Sequence, residues 1–106
     1  MADEITIDEL VTEMAAGPVP LIDVRELDEY TAAHVPGARL VPLGTVPEAV
    51  DELPRDERVF VICHSGARSQ RAADFLLTRG IDAVSVAGGT SAWVQRGHDY
   101  ESGEVS

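Results

Sequence analysis

Four consecutive apolar, β-favouring residues, Val59-Phe60-Val61-Ile62, run directly into Cys63, the only cysteine of the chain. A run without polar alternation predicts a strand buried on both faces, the usual state inside a parallel sheet. His64-Ser65-Gly66-Ala67-Arg68-Ser69 follows, and Gln70 to Arg79 carries helical spacing. A buried strand that turns within a few residues into a helix points to an α/β arrangement and puts the cysteine on the turn. The first turn of a helix offers free N–H donors and the positive end of the macrodipole. Both favour a thiolate at Cys63, and Arg68, five positions on, is expected to curl back and add a permanent cation. Such surroundings lower a free thiol from about 8.5 into roughly the 3.5–7.5 range. Gly66 has no Cβ, so the backbone can bend sharply and aim its amides at the centre of the loop. The expected product is an anion cradle with a nucleophile at its base. A small buried thiol beside a helix cap is the competing reading.

The rest of the chain alternates strands and helices. Ile5 to Ile7 is expected as a short first strand. Thr6 and Glu9 have capping-box spacing, and Ile7, Leu10, Val11 and Met14 then form one apolar helix face, stopped by Gly17-Pro18. Val19 to Val24 reads as the second strand, with Asp23 and Arg25 at its carboxyl end. Leu27 to about Ala33 reads as a short helix and Ala38 to Val41 as the third strand. Thr45 and Glu48 suggest a second capping box, with Pro47 in the first turn of a helix carrying Val46, Val50 and Leu53. The helix behind the cysteine ends at Gly80, a C-cap. Ile81 to Val86 gives the last strand, and Thr90 is expected to cap a last helix that Gly97 ends. This alternation predicts an α/β domain with a mainly parallel sheet.

With 106 residues the chain is expected to be one domain, 1–106, with 99–106 a polar, frayed tail. Eight basic residues, all arginine, stand against nineteen acidic ones, for a net charge of −11. That balance argues against nucleic acid and anionic membranes as partners. The sequence has no apolar run long enough to span a bilayer and no basic, apolar leader, so a cytoplasmic setting without a membrane is expected. A lone cysteine cannot form an internal disulfide, which fits that compartment. The residues call for neither a metal nor a cofactor.

Cys63-His64-Ser65-Gly66-Ala67-Arg68-Ser69 resembles the active loop of the rhodanese-like sulfurtransferases. Asp23-Val24-Arg25-Glu26, Glu29-Tyr30 and His34-Val35-Pro36-Gly37-Ala38 resemble the second signature of that family, with Ala33 where a glycine is usual. Ala87-Gly88-Gly89-Thr90 followed by Ser91-Ala92-Trp93 is similar to the third, a Gly-Gly turn into a helix containing tryptophan. The resemblance implies a three-layer fold, with about five mainly parallel strands flanked by helices. It implies a catalytic role for Cys63 and substrate binding by Arg68, His64, Ser65, Gly66, Ala67 and Ser69. Asp23 and Arg25 are expected to support the loop, with a structural ion pair between them as the competing role. Ser65 and Ser69 have an alternative as turn and cap residues, and His64 reads as a specificity or loop residue. The implied activity moves sulfane sulfur from a small anionic donor such as thiosulfate, through a persulfide on Cys63, to cyanide, a thiol or a sulfur carrier. Two rivals stand beside it. One is a partner-binding module of the same family that transfers nothing. The other is a phosphatase or arsenate reductase, against which the four residues between Cys63 and Arg68 argue, because the related phosphatases resemble this loop with one residue more.

Overall fold

The computed structural model describes residues 1–103. Five strands form one sheet: β1 (Glu4–Ile5), β2 (Leu21–Asp23), β3 (Arg39–Leu40), β4 (Val59–Ile62) and β5 (Ala83–Val86). Their spatial order is β1-β5-β4-β2-β3, and every recorded pairing is parallel. The helices are α1 (Ile7–Ala15), α2 (Leu27–Ala32), α3 (Val46–Ala49), α4 (Ala67–Thr78) and α5 (Gly89–Gln95). Short 3-10 turns, Leu43–Thr45 and Val50–Glu52, flank α3.

The central strand behaves as its composition predicts. All four residues of β4 are buried, and their alternation divides them between two cores. Val59 and Val61 pack with Ile22, Val24, Ala72, Ala73 and Leu76 on the α4 side. Phe60 and Ile62 pack with Leu10, Leu21, Tyr30, Val84 and Trp93 on the opposite side. Each buried valine, leucine, isoleucine or phenylalanine among them contributes roughly 1.5–3 kcal/mol. The result is three layers, with the sheet between two sets of helices.

Local signals set the ends of several elements. The Thr6–Glu9 capping box forms with both of its hydrogen bonds. The α4 helix closes as a Schellman motif. Gly80 takes φ +82, its N–H donates to the Leu77 carbonyl, and the Ile81 N–H donates to the Leu76 carbonyl.

Three expectations are corrected. Thr45 makes no capping box. The preceding 3-10 turn leaves it at φ −103, ψ −1 rather than in the extended conformation a side-chain cap needs, and its hydroxyl donates to the Pro42 carbonyl. Thr90 does not cap α5, because the helix begins two residues earlier than such a cap would set it, at Gly89 behind Gly88 at φ +81. The segment after Asp99 is not frayed over its described part. His34 and Glu101 exchange backbone hydrogen bonds of 2.8 and 2.9 Å, and the Gly103 N–H donates to Thr31 at 2.8 Å. The Trp93 indole N–H donates to the Asp99 carbonyl. Residues 104–106 of that expected tail lie outside the described residues. No helix among the described residues is long and apolar enough to cross a membrane.

Candidate active site

The register Leu21↔Phe60, Asp23↔Ile62 and Val61↔Ser85 aligns the carboxyl ends of β2, β4 and β5. That edge is where open parallel sheets place their ligands. Cys63 leaves β4 there and is 1% exposed. Gly66, at φ +121 and ψ −18, makes the turn into α4, a conformation that favours glycine. Its N–H donates to Cys63 Sγ at 3.0 Å. The thiol reaches the Ser69 hydroxyl at 3.3 Å.

Burial pushes the Cys63 thiol up. The Ser69 hydroxyl and the amides of Ser69, Gly66 and Ser65 more than offset that effect, and the thiol lies below its ordinary value. The sulfur therefore sits in a cradle of donors that favours its anion. Ser69 is fully buried and is held in turn by the Gly66 carbonyl at 3.1 Å and by Ser85 Oγ at 2.8 Å. When Cys63 is ionised, the Ser69 O–H can turn to Sγ while the Ser85 O–H donates to Ser69 Oγ. Ser85, also fully buried, escapes a sequence reading. Its one signal is a hydroxyl inside the otherwise apolar strand Ala83–Val86.

The cradle is braced by the Gly-Gly turn. The Thr90 N–H donates to the Cys63 carbonyl at 2.8 Å, and the Ser91 N–H donates to the His64 carbonyl at 3.0 Å. These first-turn amides of α5 are satisfied by the cysteine loop, so the helix starts without a side-chain cap. His64, Ser65 and Ala67 are exposed at the mouth, while Gly66 and Ser69 are buried beneath it.

Arg68 is arranged differently from the sequence expectation. Its two terminal nitrogens donate to Glu29 Oε1 and Oε2 at 2.7 and 2.8 Å, a bidentate fork across to α2. The Arg68 guanidinium holds the Glu29 carboxyl at about 2, well below the carboxylate range, against its partial burial. The pairing raises Arg68 further, and Cys63 adds a smaller Coulombic pull on it. Glu29 was legible only as part of the second signature; its partner lies 39 positions away. Asp23 and Arg25 form a buried ion pair at 2.8 Å, and Arg25 also donates to the Ala33 carbonyl at 2.7 Å. Their side-chain hydrogen bonds tie the end of β2 to the end of α2 rather than to the cysteine loop.

Residues 6–96 match the family model described as the rhodanese-like domain. A sulfurtransferase of Allochromatium vinosum is 33% identical over 99 residues, which cover 92% of each chain. YrkF of Bacillus subtilis is 40% identical over 74 residues, covering 69% of this chain and only 40% of that protein. The crystal structure of a thiosulfate sulfurtransferase from Pseudomonas aeruginosa superposes with a TM-score of 0.87 at 28% identity, covering 98% of this chain and 21% of that one. A cysteine at the carboxyl end of the central strand, cradled by loop amides and braced by a Gly-Gly turn, thus lies within a matched region that spans most of the sequence, and the chain belongs to the rhodanese-like domain family.

Proposed function

We propose that the protein is a sulfurtransferase in which Cys63 carries sulfane sulfur as a persulfide. Family membership and the buried cysteine support sulfur transfer in general; the donor, the acceptor and the residue roles are this proposal. The donor is thiosulfate or a related sulfane-sulfur compound. The acceptor is cyanide in an assay, and a thiol or a sulfur carrier otherwise. Both half-reactions use covalent catalysis of the ping-pong kind. The Cys63 thiolate attacks the sulfane sulfur of thiosulfate, the S–S bond breaks, and sulfite leaves with the bonding pair. The persulfide anion left on Cys63 is stabilised by the amides of Ser65, Gly66 and Ser69 and by the Ser69 hydroxyl. Arg68 is the cation beside the incoming donor, with its charge shared with Glu29, and His64 and Ala67 line the mouth through which donor and acceptor reach the sulfur.

The observation that carries this reading is the donor set on Cys63 Sγ, which lowers the thiol despite its burial. Intact-mass measurement after incubation with thiosulfate is the test. A gain of one sulfur atom, removed by cyanide or a thiol and abolished in Cys63→Ser, is the expected result. An unchanged mass, with Cys63 still open to alkylation, would favour a partner-binding module. Hydrolysis of an aryl phosphate at a rate matching sulfur transfer would point to phosphatase chemistry instead; negligible hydrolysis is expected.

A further inference from the structure

Arg68 has the one guanidinium on the cysteine loop, and it is already engaged. Both of its terminal nitrogens are paired with Glu29. Glu29 is itself fixed by its own helix, because Oε1 also accepts the Glu26 N–H at 3.1 Å in a capping box at the start of α2. The carboxylate is thus held from two sides, unlike a loose surface pair. Asp23 and Arg25 form the second pair beside it. Arg25 acts electrostatically on Glu29, and Asp23 on Arg68. The four formal charges cancel. A donor arriving at Cys63 meets loop amides and a neutralised arginine in a chain whose net charge is −11.

We propose that Glu29 is a specificity-determining residue: by occupying Arg68 it disfavours the dianion thiosulfate and biases Cys63 toward sulfane sulfur carried as the persulfide of a thiol. This rests on the sulfurtransferase reading and narrows its donor. The two loading steps differ in charge. With thiosulfate, a thiolate and a dianion must meet, and a sulfite dianion must leave. With a protonated persulfide, R–S–SH, the Cys63 thiolate attacks the outer sulfur and the S–S bond breaks. R–S⁻ then leaves with the bonding pair, and the outer sulfur stays on Cys63 with its proton. When R is uncharged no dianion enters or leaves, so an unengaged arginine is not required.

The test compares loading of Cys63 from thiosulfate and from the persulfide of 2-mercaptoethanol, whose R group is uncharged. Glu29→Gln removes the charge and retains a side-chain oxygen that can accept the Glu26 N–H of the capping box. The variant should raise the thiosulfate-to-persulfide ratio of kcat/KM by roughly tenfold to a hundredfold, the worth of a recovered charge-assisted contact. The gain should appear mainly in KM for thiosulfate and vanish in Glu29→Gln/Arg68→Gln. A ratio that stays level or falls would overturn the proposal and leave Glu29 as a prop for α2. The wild-type protein provides a second reading that needs no variant. It should load faster from the persulfide, and a preference for thiosulfate would overturn the proposal alone. If wild-type Cys63 takes sulfur from neither donor yet still alkylates, the sulfurtransferase reading itself fails.

Discussion

A Cβ placed on Gly89 would lie 2.3 Å from the carbonyl oxygen of Cys63 and 2.6 Å from that of His64. Both clashing atoms are backbone, so no side chain can swing aside. Gly89 also takes φ +57, a region where a residue with a side chain costs of order 1–3 kcal/mol in strain. Any larger residue must push α5 off the cysteine loop and break the hydrogen bonds from Thr90 and Ser91. Gly89→Ala should therefore destabilise the fold by about 2 kcal/mol or more and displace the cradle. Thermal unfolding together with the rate of Cys63 alkylation checks this; a variant that matches the natural protein in both would show that the loop has slack the geometry denies.

Ser85 touches the chemistry only through another hydroxyl. Its Oγ lies 2.8 Å from Ser69 Oγ, and Ser69 Oγ is the side-chain oxygen that the Cys63 thiol reaches at 3.3 Å. A hydrogen bond into Ser69 polarises the one Ser69 makes to the thiolate. Ser85→Ala should raise the Cys63 thiol toward its ordinary value, so that alkylation sets in at higher pH. The stability change should be only about 1 kcal/mol, as for one hydrogen bond. An unmoved pH profile would reduce Ser85 to packing.

The contrast between Gly89 and Ser85 shows what was readable in the sequence. The cradle was legible because local rules make it: an unbroken apolar run for β4, a glycine where φ must be positive, and two glycines where backbones meet. The fork between Glu29 and Arg68 was not legible, because an acid on a short helix looks like a solvated charge until folding supplies a partner 39 positions away. Arg68 was read from the loop alone, which showed a cation near a thiolate and could not show a carboxylate from α2 claiming it. Thr90 misled as a cap because its helix begins against carbonyls of another loop, a pairing that side-chain composition does not record.

The Glu29–Arg68 fork also makes acid stability testable. The folded-state carboxyl titrates at about 2, against an ordinary 4.5. A lowered carboxyl stabilises the fold fully above its unfolded value, and that contribution disappears as pH falls through the folded one. The window therefore runs from about 4.5 down to about 2. Near neutral pH the natural protein should show a higher denaturant midpoint than Glu29→Gln, and the lead should shrink to nothing near the lower limit. Both partners are about a third exposed, at 33% and 31%, so added salt should narrow the lead as well. A lead that persists at the acid limit would mean that the difference comes from packing of α2 rather than from charge.

The segment after Asp99 closes over α2, and this sets a last expectation. His34 is fully buried, and its N–H and carbonyl are both paired with Glu101. Ser102 and Gly103 bond the Ala32 and Thr31 carbonyls, so four recorded hydrogen bonds strap the end of the helix that carries Glu29. These are mostly backbone bonds, which is why a polar composition hid them. Ending the chain at His98 should cost about 1–3 kcal/mol by stranding buried groups at His34. It should also speed amide exchange over residues 27–34 more than over α4. As α2 loosens, the fork to Arg68 should weaken, and the thiosulfate-to-persulfide loading ratio should move in the same direction as in Glu29→Gln. An unchanged melting temperature and exchange pattern would mean that the strap contributes nothing in solution; faster exchange over 27–34 with an unchanged donor ratio would separate the strap from donor choice.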